Sequence, residues 1–450
     1  MRDLYQDKLR TKQQIAEQIK PGDSIVLGSF SGEPHGCMRA FGQFASHITP
    51  IHISASFLTG GAEFLMRPGV KCFSGFLGPY ERAARARFDN VVFTPVQFTA
   101  ALGWLIGSDP PDYFIHRVTP PDERGHFNYS LTSSWEYRTH QWLRRHSPST
   151  KIVVEVNPHL PRVFGLEEFG NNSVSIEEVD LIVEDDTPML VFPTQPSTGI
   201  DQSIAAHVAN LVEDRSTVQL GIGTLPMLIG HLLCDRKDLG VHTEMLCDAH
   251  LELIEAGSVT NAHKGLYNGR SIATFAIGGP KLWNWARENP ELAMLPVEEV
   301  NAAKVLSQVN TMVSINSVLS IDLAGQACAH CLGPATYSGL GGAFEFAYGA
   351  QLSPGGKSIL CLPSTVTLKD GSVVSNIAAV HPLGTRVTVP EHCVDWVVTE
   401  YGAVRLKYRY MESRAAALIS IAHPNFRDDL ARQAESNGLR LSKGAELERS

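Results

Sequence analysis

A single carboxylate stands in a mostly apolar stretch near the middle of the chain. Glu244 has Val241 on one side and Met245 and Leu246 on the other, just past a predicted strand. An unperturbed Glu has a pKa of about 4.3 and is ionised at neutral pH. An ionised carboxylate can act as a covalent nucleophile, although a solvated side chain at a strand end is the commoner situation. The pattern alone leaves both interpretations of Glu244 open.

A glycine turn precedes this carboxylate in the chain. Residues 217–220 predict a short strand, and Pro226 is placed to start a helix. The turn between them consists of Gly221, Ile222, Gly223, Thr224 and Leu225. Glycines let a backbone approach a ligand, and the free N–H groups of a helix N-terminus attract phosphate. A dinucleotide-binding fingerprint needs a third glycine where Pro226 stands, so a nicotinamide cofactor is excluded. A tight turn without any ligand remains an equal alternative.

A second glycine loop lies about a hundred residues later. Gly339, Gly341 and Gly342 fall within four positions, and three glycines so close together are costly to order. Successive N–H groups in such a loop can point at one spot, as an oxyanion requires. A simple bulge or turn is the alternative. Lys357 follows a turn shortly afterwards and suits a phosphate, although a solvated lysine is commoner.

Length and composition restrict the class of protein. The chain has 450 residues, which favours two domains. Its net charge of −9 and the lack of a basic block argue against nucleic acid as a partner. No apolar run reaches the ~20 residues of a membrane helix, and the first ten residues lack the apolar core of a secretory signal. We therefore expect a cytoplasmic protein without a membrane partner.

The eight cysteines are scattered, so we expect free thiols. Cys328 and Cys331 form the one close pair, in the sequence Cys-Ala-His-Cys. A structural zinc usually takes four ligands, and the sequence offers no second cysteine pair. We therefore expect no metal and interpret the pair as buried thiols, with a redox role as the alternative.

The order of predicted elements suggests two related halves. A helix over 11–20, a polar break, a strand over 24–27 and a glycine turn ending at Pro34 open the first half. A helix over 204–212, a polar break, the strand over 217–220 and its glycine turn repeat that order. Further apolar strands are predicted at 151–156, 180–183, 271–277, 357–362 and 395–399. Buried strands alternating with helices predict an α/β fold with mixed or parallel sheets.

The domain boundary is predicted in a polar, proline-rich stretch at 184–199. The two α/β domains would then cover residues 1–190 and 200–450, with Glu244 in the C-terminal one. Residues 120–126 predict a tight loop, and residues 427–450 predict a charged helix that frays at its end.

Taken together and in order, these segments resemble the acetyl-CoA hydrolase/transferase family, in its 4-hydroxybutyrate CoA-transferase-like branch. The resemblance covers nearly the whole chain and is specific for the family, but not for the acyl group. The segments that carry it are 120–125, 154–162, 221–226, 242–245, 312–317, 337–342, 397–402 and 419–427.

The resemblance implies a CoA-transferase-like fold and assigns roles to residues. Glu244 would be the catalytic glutamate, with Gly341 and Gly342 forming part of the oxyanion site. The turn from Gly221 to Leu225 would contact CoA, and Asn316 and Lys357 would be further contacts to CoA or the acyl group. The family reaction passes through a glutamyl-CoA thioester, with CoA thioesters and small carboxylic acids as substrates and no permanently bound cofactor. A homodimer or larger homo-oligomer is also implied.

Departures from the family pattern fall where the acid would be recognised. Asp248 is followed by alanine where the family often has glycine, and Gln97 stands where it often has a Ser-Glu pair. Phe30 and Ser31 occupy the first glycine turn, which should face the acyl group. Acetate, butyrate, 4-hydroxybutyrate and a dicarboxylate such as itaconate or succinate all remain open. An acyl-CoA hydrolase on the same scaffold is the main alternative, and a CoA-binding protein without turnover is a third.

Overall fold

The computed structural model describes residues 2–107, 109–192 and 195–441. Its α-helices, in chain order, are α1 (Arg2–Lys8), α2 (Lys12–Gln18), α3 (His35–Ile48), α4 (Pro79–Phe88), α5 (Ala101–Ile106), α6 (Glu136–His146), α7 (Gly199–Ala209), α8 (Thr224–Leu232), α9 (Asp248–Glu255), α10 (Pro280–Ala286), α11 (Glu298–Asn301), α12 (Ala303–Leu306), α13 (Ala343–Leu352), α14 (Met411–Ser420) and α15 (Pro424–Ser436).

The strands are β1 (Ser24–Leu27), β2 (Ile51–Ser54), β3 (Val70–Ser74), β4 (Val91–Phe93), β5 (Tyr113–Val118), β6 (His126–Asn128), β7 (Lys151–Val156), β8 (Ser173–Ser175), β9 (Leu181–Glu184), β10 (Thr217–Gln219), β11 (Gly240–Leu246), β12 (Ser271–Ala276), β13 (Leu292–Met294), β14 (Met312–Ser317), β15 (Ser320–Asp322), β16 (Ala327–Cys328), β17 (Cys331–Leu332), β18 (Ala335–Thr336), β19 (Lys357–Cys361), β20 (Thr365–Thr367), β21 (Val373–Ser375), β22 (Ile377–Ala378), β23 (Trp396–Thr399) and β24 (Gly402–Arg405).

The chain forms two compact units. The first unit contains the residues up to Phe192 together with Glu244–Leu246 and Arg270–Val300. Its main sheet has the strand order β4-β3-β2-β1-β5-β7-β9, and every pairing in it is parallel. Neighbouring side chains of a strand point to opposite faces. Ile25 and Leu27 accordingly join one apolar cluster, and Val26 joins another. Both faces of the sheet are therefore covered, as expected for a parallel sheet.

The second unit consists of three segments of the chain. Among the described residues these are 195–243, 247–269 and 301–441. Its strands follow the order β11-β10-β14-β19-β23-β24. The pairings are parallel except for the last, between β23 and β24. This arrangement confirms the predicted α/β class with mixed or parallel sheets.

The composition of the units differs from the predicted domains. The change of unit after Phe192 falls inside the predicted boundary stretch, but the sequence had assigned Glu244 and residues 270–300 to the C-terminal domain. Hydrogen bonds within the first unit explain the difference. The N–H of Ala276 donates to the carbonyl of Leu131 (2.8 Å), and the N–H of Ser133 donates to the carbonyl of Thr274 (2.8 Å). A strand from late in the chain is thereby fixed to a segment from the first half.

The predicted repeat has a counterpart in topology. In the first unit β1 lies between β2 and β5, and in the second unit β10 lies between β11 and β14. Each of these central strands follows a helix and leads through a short turn into another helix. The two halves therefore start with the same helix-strand-turn-helix order.

Most predicted strands have the predicted positions within one or two residues, including β1, β7, β12, β19 and β23. Helix α8 begins at Thr224, two residues before Pro226. The predicted C-terminal helix corresponds to α15, and residues 442–450 lie outside the described residues, as do residues 193 and 194 of the predicted linker. Among the helices described, none combines the length and apolarity that crossing a membrane would require.

Candidate active site

The glycine turn of the second unit joins β10 to α8. Gly223 has φ +104° and ψ −171°, a conformation that favours glycine, and it caps α8 without a side chain. Ile222 and Gly223 are exposed. Thr224 is tied to the chain before it, because its hydroxyl donates to the carbonyl of Gln195 (2.8 Å). The backbone that leads into α8 is therefore accessible to solvent. The first N–H groups of a helix have no partner within it and can bind an anion there.

A reciprocal amide pair lies at the ends of two neighbouring strands. Gln219 ends β10 and Asn316 is the second-last residue of β14. Gln219 donates to Oδ1 of Asn316 (3.2 Å), and Asn316 donates to Oε1 of Gln219 (3.0 Å). Sequence reasoning selected Asn316 but missed Gln219. Gln219 lies two residues before Gly221, so the pair ties the Asn316 side chain to the strand that leads into the glycine turn.

A thiol and an imidazole support the same turn. The Cys247 thiol donates to the carbonyl of Gly221 (3.3 Å), and the Cys247 N–H donates to Nδ1 of His250 (3.2 Å). Burial raises the pKa of Cys247 to about 12 and lowers the pKa of His250 to about 3. Both groups are therefore neutral at pH 7 and act as hydrogen-bonding partners. Neither residue was assigned a role from the sequence.

The second glycine loop leads into α13. Gly341 has φ +51°, and Gly342 is the N-cap of the helix. The loop is anchored at its start, where the N–H groups of Tyr337 and Ser338 donate to the carbonyl of His330 (2.8 and 3.3 Å). The N–H groups at the start of α13 and the turn before it are suited to a negative oxygen, as the sequence analysis proposed.

Lys357 lies apart from Asn316. It is the first residue of β19, whereas β19 is paired with Asn316 three residues later, at Leu360. The Lys357 ammonium donates to the carbonyl of Leu211 (3.0 Å) and to the carboxylate of Glu213 (2.6 Å). Strand residues rise about 3.3 Å each. Lys357 therefore lies at the N-terminal end of β19, whereas Asn316 lies near the C-terminal end of the neighbouring strand β14. The structure does not bring these two predicted contacts together.

Glu244 belongs to the first unit. It is half-buried and is the fifth residue of the seven-residue strand β11. The end of this strand is fixed beside β12, because the N–H of Ile277 donates to the carbonyl of Leu246 (2.9 Å). Glu244 lies two residues before Leu246, and Phe275 lies two residues before Ile277. Two residues span roughly 7 Å along a strand. The candidate nucleophile is therefore held on a strand next to the strand that carries Phe275.

Aromatic rings surround the turn that the sequence assigned to acyl recognition. The Phe30 ring stacks on Phe275 with a centroid separation of 3.6 Å and an interplanar angle of 4°. Phe98 meets both rings edge-on, at 6.5 and 6.1 Å. Phe30 has φ +51°, which is unusual for a bulky side chain and indicates local strain. Gln97 is exposed and precedes Phe98 directly, so the structure places Phe30 and Gln97 around one aromatic cluster.

A small cavity of about 40 Å³ adjoins Phe30 and Ser31. Its wall includes Arg117, whose side chain is buried and donates from Nε to Glu155 (3.3 Å). Among the described residues, Ser31 Oγ and Arg117 Nη2 have no hydrogen-bond partner although both atoms are buried. The cavity is small, and its wall offers the Ser31 hydroxyl and the Arg117 guanidinium, whose Nη2 lies 3.8 Å from Oδ2 of Asp185.

Two buried carboxylates shape this turn. Glu136 accepts hydrogen bonds from the N–H and the hydroxyl of Ser29, both at 2.6 Å. Glu33 accepts from the N–H and the hydroxyl of Thr59, both at 2.9 Å. Burial raises the pKa of Glu136. Sequence reasoning missed both glutamates, since their partners lie 107 and 26 residues away.

Comparisons with known proteins find relatives that cover nearly the whole chain. The family model of the acetyl-CoA hydrolase/transferase C-terminal domain matches residues 278–434. A succinyl-CoA:cyclohexane-1-carboxylate CoA transferase of Geobacter metallireducens is 33% identical, with 96% of this chain and 95% of that protein covered. A 4-hydroxybutyrate coenzyme A transferase of Clostridium kluyveri is 32% identical, with 95% and 97% covered. The crystal structure of RipA from Yersinia pestis aligns with a TM-score of 0.87 at 32% identity, over 97% of this chain and 99% of that one.

These full-length matches, together with the parallel α/β sheets, define an enzyme of the CoA-transferase class. The chain belongs to the acetyl-CoA hydrolase/transferase family, in the branch of 4-hydroxybutyrate CoA-transferase and related CoA-transferases.

Proposed function

We propose that this protein is an acyl-CoA:carboxylate CoA-transferase that works by a ping-pong mechanism through a thioester between CoA and Glu244. The observation that carries the proposal is the position of Glu244, a half-buried carboxylate on a strand fixed beside the strand of Phe275. A carboxylate nucleophile is weak in water. Partial burial of the Glu244 side chain reduces the access of water, which protects an activated acyl group.

The steps conserve atoms and charge without a redox partner. A carboxylate oxygen of Glu244 attacks the thioester carbonyl, the C–S bond breaks, and CoA thiolate leaves an acyl–glutamyl anhydride. The thiolate then attacks the glutamyl carbonyl and the first acid leaves as a carboxylate, which gives the glutamyl-CoA thioester. A second carboxylate reverses both steps and departs as the new acyl-CoA. Binding of the distant CoA body would assist these steps by holding the reacting groups together.

Coenzyme A is a substrate in this scheme, and no permanently bound cofactor is needed. The turn from Gly221 to Leu225 is the proposed contact to CoA, with Asn316 beside it. Its exposed backbone and helix N-terminus support this role, because a chain of net charge −9 must meet phosphates locally. Gly341 and Gly342 are the proposed oxyanion donors. Lys357, which is bonded to Leu211 and Glu213 at the other end of the strands, has no part in this proposed contact.

The acids are proposed to be short-chain carboxylates. Two relatives are named for 4-hydroxybutyrate and for succinyl-CoA with cyclohexane-1-carboxylate, so the family accepts acids of different shapes. Phe30, Ser31 and Gln97 are the proposed acyl contacts. The small cavity beside Phe30 and Ser31 supports compact acids such as acetate, butyrate, 4-hydroxybutyrate, succinate or itaconate.

The test is the rate at which a labelled acid enters acyl-CoA, measured over a matrix of donor and acceptor concentrations. We expect parallel double-reciprocal lines, because the first acid leaves before the second binds. Glu244→Gln should reduce the rate by at least about 10³-fold, as loss of a covalent nucleophile does in other enzymes. Glu252→Gln is the matched control, since Glu252 lies nearby in sequence and is bonded to the exposed His231. Retained activity in Glu244→Gln would refute the covalent role.

The hydrolase alternative predicts a different result in the same assay. Water would then replace the acceptor, so free CoA would form at the same rate with and without a second acid.

The proposal also includes a cytoplasmic homodimer or larger homo-oligomer. Analytical ultracentrifugation of the purified protein tests the assembly, and a single species of 49.1 kDa would contradict it.

A further inference from the structure

Three buried side chains of the second unit converge between two short strands. Cys328 ends β16, Cys331 starts β17, and His330 lies in the turn between them. One ligand atom from each residue lies within 4.8 Å of the other two. The three residues are 0%, 2% and 2% exposed. The lack of a second cysteine pair argued against a metal, but the fold brings the imidazole of His330 together with the two thiols.

These ligand types and distances suit a thiophilic cation. Two thiolates and an imidazole are typical ligands of Zn²⁺. On a tetrahedral zinc with Zn–S distances of ~2.3 Å, two sulfurs lie roughly 3.8 Å apart. A spacing of up to 4.8 Å therefore needs only small side-chain rotations to close. Three protein ligands leave the fourth position for water.

The imidazole is already oriented by a hydroxyl. Nδ1 of His330 lies 2.6 Å from Oγ1 of Thr388, and the same oxygen accepts the N–H of Ala329 (2.8 Å). A hydrogen bond on one ring nitrogen is what usually orients a metal-binding histidine. Thr388 therefore fixes both the ring and the backbone of the turn.

The cluster supports the second glycine loop. The carbonyl of His330 accepts the N–H groups of Tyr337 and Ser338, and the carbonyl of Ala329 accepts the hydroxyl of Ser338 (3.4 Å). The β17–β18 hairpin between them pairs Cys331 with Thr336. A ligand that holds Cys328, His330 and Cys331 in place would therefore also hold the start of the loop that contains Gly341 and Gly342.

We propose that Cys328, His330 and Cys331 bind one Zn²⁺ ion, which fastens the hairpin and the loop after it. The ion takes no part in the chemistry at Glu244, so the site stands independently of the proposed reaction. Binding displaces the thiol protons, and the two thiolates and the imidazole become ligands.

The direct test adds Co²⁺ and then Zn²⁺ to reduced, metal-free protein. We expect one equivalent of Co²⁺ to give thiolate-to-cobalt charge-transfer absorption of two-thiolate intensity, which Zn²⁺ then abolishes. Cys331→Ser and His330→Gln should lose this signal. Cys234→Ser should keep it, because Cys234 lies outside the cluster and its thiol donates to the carbonyl of Gly230. No absorption in the wild-type protein, or equal absorption in Cys331→Ser, would overturn the proposal.

Two further measurements separate a metal site from other roles. Thr388→Val should weaken Zn²⁺ affinity by roughly 10–100-fold, and Thr388→Ser should restore it. Hydrogen exchange of the Tyr337 and Ser338 amides should slow when Zn²⁺ is added to the wild type. A disulfide between Cys328 and Cys331 in the unreduced protein, with no metal uptake after reduction, would show a redox pair and refute the metal site.

Discussion

At the scale of single residues, Lys264 is a buried cation beside the strand of Glu244. It is fully buried, and its ammonium donates to the carbonyl of Val241 on β11 (2.9 Å). The stem packs so closely that a Cβ placed on Gly240 would lie 2.4 Å from its Cγ. Burial lowers the pKa of Lys264 to about 7. Near neutral pH this residue is therefore divided between its charged and neutral forms.

The lowered pKa predicts a pH dependence of stability. Between pH 7 and about 10.5 the unfolded chain holds a proton on Lys264 that the folded chain does not, so stability rises with pH across that window. Below pH 7 the full cost of burying the charge applies. Lys264→Met should gain most over the wild type below pH 7, and its advantage should shrink by about 1.4 kcal/mol per pH unit above pH 7.

The measurement is urea unfolding of both proteins from pH 6 to pH 9. Lys304→Met is the control, because Lys304 is exposed on α12 and its replacement should give a difference that does not change with pH. A pH-independent difference for Lys264→Met would show that the buried lysine keeps its ordinary protonation.

Single residues also show where prediction from sequence stops. Glu244 and the glycines of both loops could be selected from their local pattern. The partners of Asn316 and Lys357 could not, because Gln219 and Glu213 lie 97 and 144 residues away. Such pairs depend on strand order, which local sequence does not encode. The strained conformation of Phe30 likewise becomes visible only in three dimensions.

At the scale of elements, α13 is positioned by close packing on α12. A Cβ on Gly349 would lie 2.5 Å from Cδ1 and 2.7 Å from Cβ of Leu306. This contact determines how near the two helices approach. It also sets the position of the N-terminus of α13, which is capped by Gly342.

Gly349→Ala should therefore destabilise the protein. Overpacking costs about 1–3 kcal/mol, which exceeds the gain of up to about 1 kcal/mol from replacing glycine in a helix. Gly103→Ala is the control, because a Cβ on Gly103 in α5 would meet nothing within 4 Å. Thermal and urea unfolding should shift down for Gly349→Ala and stay level or shift up for Gly103→Ala. Equal shifts for the two variants would contradict the packing argument.

Elements themselves were largely predictable. Apolar runs bounded by glycine, proline or acidic residues gave β1 and β7 with their observed bounds. Buried parallel strands have strong apolar runs because both faces are covered. The start of α8 was placed two residues late, since Pro226 was taken as the first helical residue. Proline also fits the second and third positions of a helix, because the N–H groups of the whole first turn have no partner within the helix and proline lacks one.

At the scale of the whole molecule, the sequence predicted two α/β parts and the region where the chain passes between them. It did not predict that Glu244–Leu246 and Arg270–Val300 belong with the first unit. Backbone hydrogen bonds join Arg270–Val300 to residues 131–134, more than a hundred positions earlier, and the N–H of Ile277 in turn donates to the carbonyl of Leu246. The candidate nucleophile is therefore part of the unit that also holds Phe30, Ser31 and Gln97.

The proposed mechanism requires Glu244 to carry CoA as a thioester during turnover. The most direct measurement is the intact mass of the protein after incubation with each acyl-CoA and no acceptor acid. We expect an increase equal to one CoA minus one water, because a glutamyl oxygen leaves with the first acid, and this adduct should be removed by hydroxylamine and absent in Glu244→Gln. An adduct that persists in Glu244→Gln, or steady release of free CoA with no adduct in the wild type, would contradict it.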